Sequence, residues 1–262
     1  MRAIWTGAIG FGLVNIPVKI YSASESSSLN LDMLDKKDMS HIRFKRVNES
    51  TGKEVAWENI IKAYDYEGKY VVLDDDDFKK ASPEKSKILE IAQFVKEEEV
   101  NSIYYDTPYY LEPAKGGEKA YALLREALKK SGMVGLGTFV LRSKQLLGII
   151  KPYEDVVVLN KIRFAQEIRD YKDLNLPSAK QSHVKPAEIK MAETLINQLA
   201  APFSIEEYRD TYTDELMKMI EAKAKGKKLT APKMKVVHSG ASDLMSQLKE
   251  SLEMHPKRKK AS

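Results

Sequence analysis

The sequence predicts a mixed α+β, β-rich chain: a small closed barrel, then a helical arm, then a flexible basic tail. Three observations carry this expectation. The first 21 residues read as a bent, buried hairpin and not as a helix. One amphipathic helix interrupts otherwise strand-like segments up to about residue 175. The charge then steps upward at residue 223.

Residues 3–21 carry a single charge, Lys19. Ile9, Phe11 and Leu13 share one parity, while Val14, Ile16, Val18 and Ile20 share the other. Strand side chains alternate faces, so the switch predicts a turn or bulge at residues 13–15. Gly7, Gly10 and Gly12 permit the curvature that closing a small barrel requires, and Pro17 belongs at a strand start, edge or bulge. The glycine spacing, G-x-x-G-x-G, reverses the dinucleotide fingerprint and no helical pattern follows it, so a nucleotide loop is not expected. Arg2 before an apolar run and Ser22-Ala23-Ser24 after it resemble a secretory leader, but Asn15, Pro17 and the internal glycines break that pattern. No later stretch approaches the apolar length of a membrane span. The expectation is a soluble, cytoplasmic chain with no membrane partner.

The following elements come in order. Residues 41–47 alternate, with Ile42 and Phe44 opposite Arg43 and Lys45, and predict a strand. Glu67-Gly68-Lys69 predicts a hairpin turn. Residues 86–95 and 133–150 predict further strands, the second a hairpin turning at 143–145, and residues 156–164 complete the set. Residues 117–131 predict a helix, with Tyr121, Leu124 and Leu128 on one face and Gly132 as its stop. A helical pair is expected over 185–224, opening on Pro186 and interrupted at Pro202. Ser204 and Glu207 form a capping box for its second member. Its apolar positions, including Leu195, Leu199, Tyr208, Tyr212, Leu216 and Met219, suit packing on a partner. The domain boundaries that follow are 1–180, 181–225 and 226–262.

Composition narrows the chemistry. The 262 residues contain no cysteine, which excludes disulfides, thiolate zinc sites and cysteine nucleophiles. The formal charge of +5 is unevenly spread. Residues 223–262 hold eleven Lys/Arg against three Asp/Glu, leaving 32 basic and 35 acidic residues in the first 222. A near-neutral body with a basic arm is a pattern of nucleic-acid-binding chains. There is no Walker loop, G-x-S-x-G elbow or H-E-x-x-H motif. His41, His183, His238 and His255 lie in unrelated segments and read as surface histidines. Asp74, Asp75, Asp76 and Asp77 are the one acidic cluster able to suggest Mg²⁺, but their position reads better as a strand end and helix N-terminus. The tyrosines of residues 104–110 could stack on bases; packing of a proline-containing loop onto the core is the expected reading.

Several ordered blocks carry a family resemblance. The first is Arg2-Ala3-Ile4-Trp5-Thr6-Gly7-Ala8-Ile9-Gly10-Phe11-Gly12-Leu13-Val14-Asn15-Ile16-Pro17-Val18-Lys19. Others are His41-Ile42-Arg43-Phe44-Lys45-Arg46-Val47, Tyr64-Asp65-Tyr66-Glu67-Gly68-Lys69-Tyr70-Val71-Val72-Leu73, and Tyr104-Tyr105-Asp106-Thr107-Pro108-Tyr109-Tyr110-Leu111-Glu112-Pro113. Lys119 to Leu128, Ile162 to Arg169 and Phe203 to Ala222 continue the series. Through about 220 residues the chain resembles bacterial Ku, the DNA-end-binding protein of non-homologous end joining. The resemblance implies a β-barrel with a bridge that encircles double-stranded DNA, within residues 1–180. It also implies a homodimer with the helical arm at 181–225, no cofactor, no catalytic residue, and recruitment of an ATP-dependent DNA ligase. By the same resemblance, the amino-terminal adhesion-type domain of eukaryotic Ku is not expected, as in bacterial forms, and the basic tail is expected to be short beside extended bacterial versions.

Basic residues are the candidate DNA contacts. Arg43 with Lys45, Arg142 with Lys144, and Lys161 with Arg163 are each two residues apart, which on a strand puts both cations on one face at roughly the phosphate spacing. Arg46 and the terminal run Lys257, Arg258, Lys259 and Lys260 join them. Residues 243–254 predict a short amphipathic helix, marginal alone, whose Leu244, Met245, Leu248 and Leu252 are candidates for docking on the ligase. Two alternatives stay open: a metal-dependent nuclease or phosphotransferase using Asp74, Asp75, Asp76 and Asp77, and a general DNA-compacting protein with a basic tail.

Overall fold

The computed structural model describes residues 1–81, 87–177, 184–227 and 244–254. Strands β1 (Trp5–Phe11) and β2 (Val14–Ser22) form the opening hairpin, paired from Trp5↔Ile20 to Phe11↔Val14. Its turn lies at Gly12–Leu13, slightly ahead of the expected position, because Gly12 takes a left-handed backbone (φ 56°) that a side chain would strain. Pro17 sits one residue outside the β2 pairing with its second neighbour, which begins at Val18↔Pro113.

Between β2 and β5 (Ile88–Lys96) the chain makes a long insert. It holds a two-stranded hairpin, β3 (Lys62–Tyr66) and β4 (Lys69–Leu73), turning at Glu67–Gly68 as expected, followed by helix α1 (Asp75–Ala81). Residues 41–47 are not a strand. Only isolated bridges, Leu34↔His41 and Val47↔Glu54, flank them. Asn48 explains the second: its side-chain oxygen accepts from the Ser50 and Thr51 N–H groups and folds a local turn. The alternation in sequence has no buried face to serve, since every residue from 41 to 47 is exposed.

The remaining strands are β6 (Tyr105–Pro113), β7 (Met133–Leu141), β8 (Lys144–Tyr153) and β9 (Val156–Ile162). With β1, β2 and β5 they close a barrel in the order β1-β2-β6-β9-β8-β7-β5, sealed by a parallel β5–β1 pairing. Tyr104 to Tyr110 is therefore mostly strand and not a loop over the core; Pro108 is accommodated where the β6–β9 register breaks. Gly137 is required by close packing, because a Cβ there would lie 2.1 Å from the Glu90 carbonyl oxygen.

Helix α2 (Glu118–Ser131) packs its Tyr121, Leu124 and Leu128 into the same core as Ile9, Leu89, Phe139 and Leu159. Gly132, left-handed, ends it. The Tyr121 hydroxyl donates to the Leu111 carbonyl (2.6 Å) and accepts from the Val157 N–H (2.7 Å), fixing the helix to β6 and β9. Burial raises the pKa of that phenol and keeps it neutral.

Residues 1–26 and 30–169 make one compact unit, and residues 27–29 with those from 170 onward a second. The second contains α3 (Pro186–Leu199), α4 (Thr211–Ala224) and α5 (Leu244–Met254). Pro186 opens α3, where its missing N–H costs nothing. The expected capping box at Ser204 is absent: its hydroxyl contacts Glu206, and residues 205–207 make one 3₁₀ turn. α4 starts later, at Asp210, whose carboxylate accepts from the Tyr212 and Thr213 N–H groups and is held below the usual range chiefly by the Thr213 hydroxyl. α5 packs on α3. Among the described residues no helix is long and apolar enough to cross a membrane.

Candidate nucleic-acid interface

The β7–β8 connection is a two-residue turn of Arg142 and Ser143, both left-handed (φ 52° and 64°), between the paired Leu141 and Lys144. Asn and Gly are the usual residues for that geometry. A charged side chain at its tip is thus held at some backbone cost, a pattern that clusters at functional positions. Arg142 and Lys144 line a concavity of about 490 Å³ together with Lys161 of β9, Thr107 and Tyr109 of β6, and Ser22. Ser22 is the last residue of β2, so the insert departs from this same rim. Three cations and three hydroxyl groups face the space, and among the described residues no Asp or Glu lines it.

Beside it lies a more tightly built cluster. Asp106 accepts from Lys161 Nζ (2.7 Å) and pairs with Arg163 Nη2 (3.4 Å), while Arg163 Nη1 donates to the Tyr105 carbonyl (2.5 Å). The Lys161 hydrogen bond is the main reason that the Asp106 carboxyl titrates below its ordinary range, outweighing partial burial. Lys161 and Arg163 do reach one face, although Arg163 lies just beyond the end of β9.

The other expected pairings fare differently. Arg43 and Lys45 share no strand face; Lys45 is engaged by Glu54 at 2.6 Å, and Arg46 lies over the Trp57 ring at 4.5 Å. Arg142 and Lys144 flank a turn and converge on one concavity by hairpin geometry, not by strand alternation. The four terminal cations from Lys257 to Lys260 lie outside the described residues. In α5, Met245, Leu248 and Leu252 are half-buried, and the Leu244 side chain lies outside the described residues. Asp74 caps α1, its oxygen accepting from the Asp76 and Asp77 N–H groups, while Asp77 accepts from the Asp74 N–H and Asp76 pairs with Lys79. Asp74 and Asp77 are thus engaged as helix caps and Asp76 in an ion pair.

Residues 10–191 match the family model described as the Ku70/Ku80 beta-barrel domain. The chain belongs to the Ku family. Relatives named "Non-homologous end joining protein Ku" cover nearly all of it. The Coxiella burnetii protein is 42% identical over 99% of this chain and 97% of its own. The Archaeoglobus fulgidus protein is 38% identical over 97% of this chain and 99% of its own. For the Pseudomonas aeruginosa protein the values are 40%, 96% and 88%. The Ku-type match takes in the end of β1, the whole insert, the remaining barrel strands and the start of α3. Sequence reasoning passed over Ser22, Thr107, Tyr109 and Asp106 as parts of this rim. Their convergence depends on barrel closure and on the break in the β6–β9 register, neither of which has a local signature.

Proposed function

We propose that this chain is a homodimeric clamp for double-stranded DNA ends, acting in end joining without catalysing any bond change itself. The observation that carries the reading is the convergence of Arg142, Lys144 and Lys161 on the barrel rim from which the insert departs. Phosphates held against that rim lie beside the root of the insert, so one chain supplies both a cationic floor and the start of an arch. The cations and hydroxyls suit phosphate and sugar, which carry no sequence information, as a break of any sequence requires. The relatives' names support the pathway.

The insert supports the second subunit. None of its described residues is buried, although Phe44, Trp57, Ile61, Tyr64 and Tyr70 are each at least 66% exposed. So much uncovered apolar surface on a hairpin-containing segment calls for a partner, and a second copy completes an arch symmetrically. Ligase recruitment is assigned to α5, whose apolar face would exchange α3 for the ligase. One plasmid, compared as closed circle and after linearisation, tests the reading: the clamp binds the linear form and disregards the circle. Equal binding to both would identify a general DNA-compacting protein instead.

A further inference from the structure

Asp106 sits where the β6–β9 ladder is broken. Between the pairs Tyr105↔Ile162 and Pro108↔Asn160, two residues of β6, Asp106 and Thr107, stand against Lys161 alone. A bulge of this kind re-aims a side chain, and here it delivers a carboxylate to two cations at once. Oδ2 lies 2.7 Å from Lys161 Nζ and Oδ1 3.4 Å from Arg163 Nη2. The Thr107 hydroxyl donates to Oδ1 at 3.3 Å. Among the described ion pairs, Lys161–Asp106 is the one in which both side chains are less than one-third exposed, at 29% and 28%. Solvent and salt therefore screen it less than the open surface pairs.

A fixed carboxylate is an odd companion for cations that meet phosphates, since it repels the same groups they attract. We propose that Asp106 is a charge brake on the DNA face. It presets Lys161 and Arg163 in one geometry while offsetting one of their two charges, so that phosphates are held in register but loosely enough for the clamp to move inward from an end. This rests on the phosphate-binding reading of the barrel rim. Asp106 is a positioning residue in this scheme, acting through its two partners.

The test uses the full chain and linear duplex of one length. Asp106→Asn keeps the size and one acceptor oxygen but removes the charge. It should bind about tenfold tighter at moderate salt, leave free-ended duplex more slowly, and steepen the log–log salt dependence by roughly 0.9. Asp106→Glu should restore the original slope. Asp106→Ala, equally uncharged but unable to position the cations, should gain less affinity than Asp106→Asn. The double change Lys161→Gln and Arg163→Gln separates the two levels. If it flattens the slope while Asp106→Asn leaves affinity and slope unchanged, the brake is wrong and the DNA face stands. If Asp106→Asn instead weakens binding and lowers the melting temperature, Asp106 is only a structural tie and the brake is again overturned. If the double change leaves the slope untouched, the phosphate assignment fails and the brake falls with it.

Discussion

At the scale of single residues, the rim is a matter of which cations face the concavity without an acidic neighbour and which are spent on one. Among the described residues no acidic side chain lines the concavity of Arg142 and Lys144, whereas Lys161 shares Asp106 with Arg163. Replacing Arg142 and Lys144 by Gln should weaken binding alike on duplexes of any sequence. The log–log salt slope should fall by roughly 0.9 for each cation neutralised; a change in sequence preference at constant slope would contradict the assignment. Tyr121 is the residue-scale test of the fold. Its removal as a donor and acceptor in Tyr121→Phe leaves the buried Val157 N–H without its partner. Denaturant titration should show a loss of about 1–3 kcal/mol. The Tyr121, Leu124 and Leu128 face was legible in the sequence, because helical spacing is a local signal. The hydroxyl's two partners were not, because Leu111 and Val157 lie on different strands.

At the scale of elements, the sequence pattern succeeded for several elements that bury one face, but it passed over β6, whose tyrosines and Pro108 read as a loop although Leu111 is buried. The opening hairpin, α2 and the β7–β8 and β8–β9 hairpins all meet that condition, and their ends are set by left-handed residues such as Gly12, Arg142 and Gly132. It failed for residues 41–47, where alternation has no core to face, and at Ser204, where Asp210 offers a better-placed cap. Two element-scale outcomes follow. Gly137→Ala forces a methyl into the Glu90 backbone beside the Ile91/Gln93 register shift. Thermal unfolding should reveal a loss of about 1–3 kcal/mol or more, with no change in salt slope. The pair Leu248→Asp and Leu252→Asp removes the apolar face by which α5 packs on α3. Ligase stimulation should drop while loading on linear duplex stays normal, as measured by joining and by binding on the same preparation. Undiminished stimulation would move the ligase-docking role to another surface.

At the scale of the whole molecule, the barrel alone does not explain end specificity. A basic rim would bind duplex anywhere along its length, since phosphates are the same at an end and in the middle. On the reading proposed above, specificity for ends comes from closure, with the exposed insert meeting a second copy. None of that was legible from periodicity: the insert's apolar residues look like ordinary core positions until the fold leaves them uncovered. The central claim is therefore topological, and trapping measures it directly. Protein loaded on a linear duplex is sealed in by joining the two ends into a circle, then challenged with concentrated salt. The account predicts retention on the closed circle and prompt release after a single cut, because salt dissolves phosphate binding but cannot open a ring around DNA without ends. Release from the intact circle as fast as from the cut one would show that the chain grips DNA without encircling it.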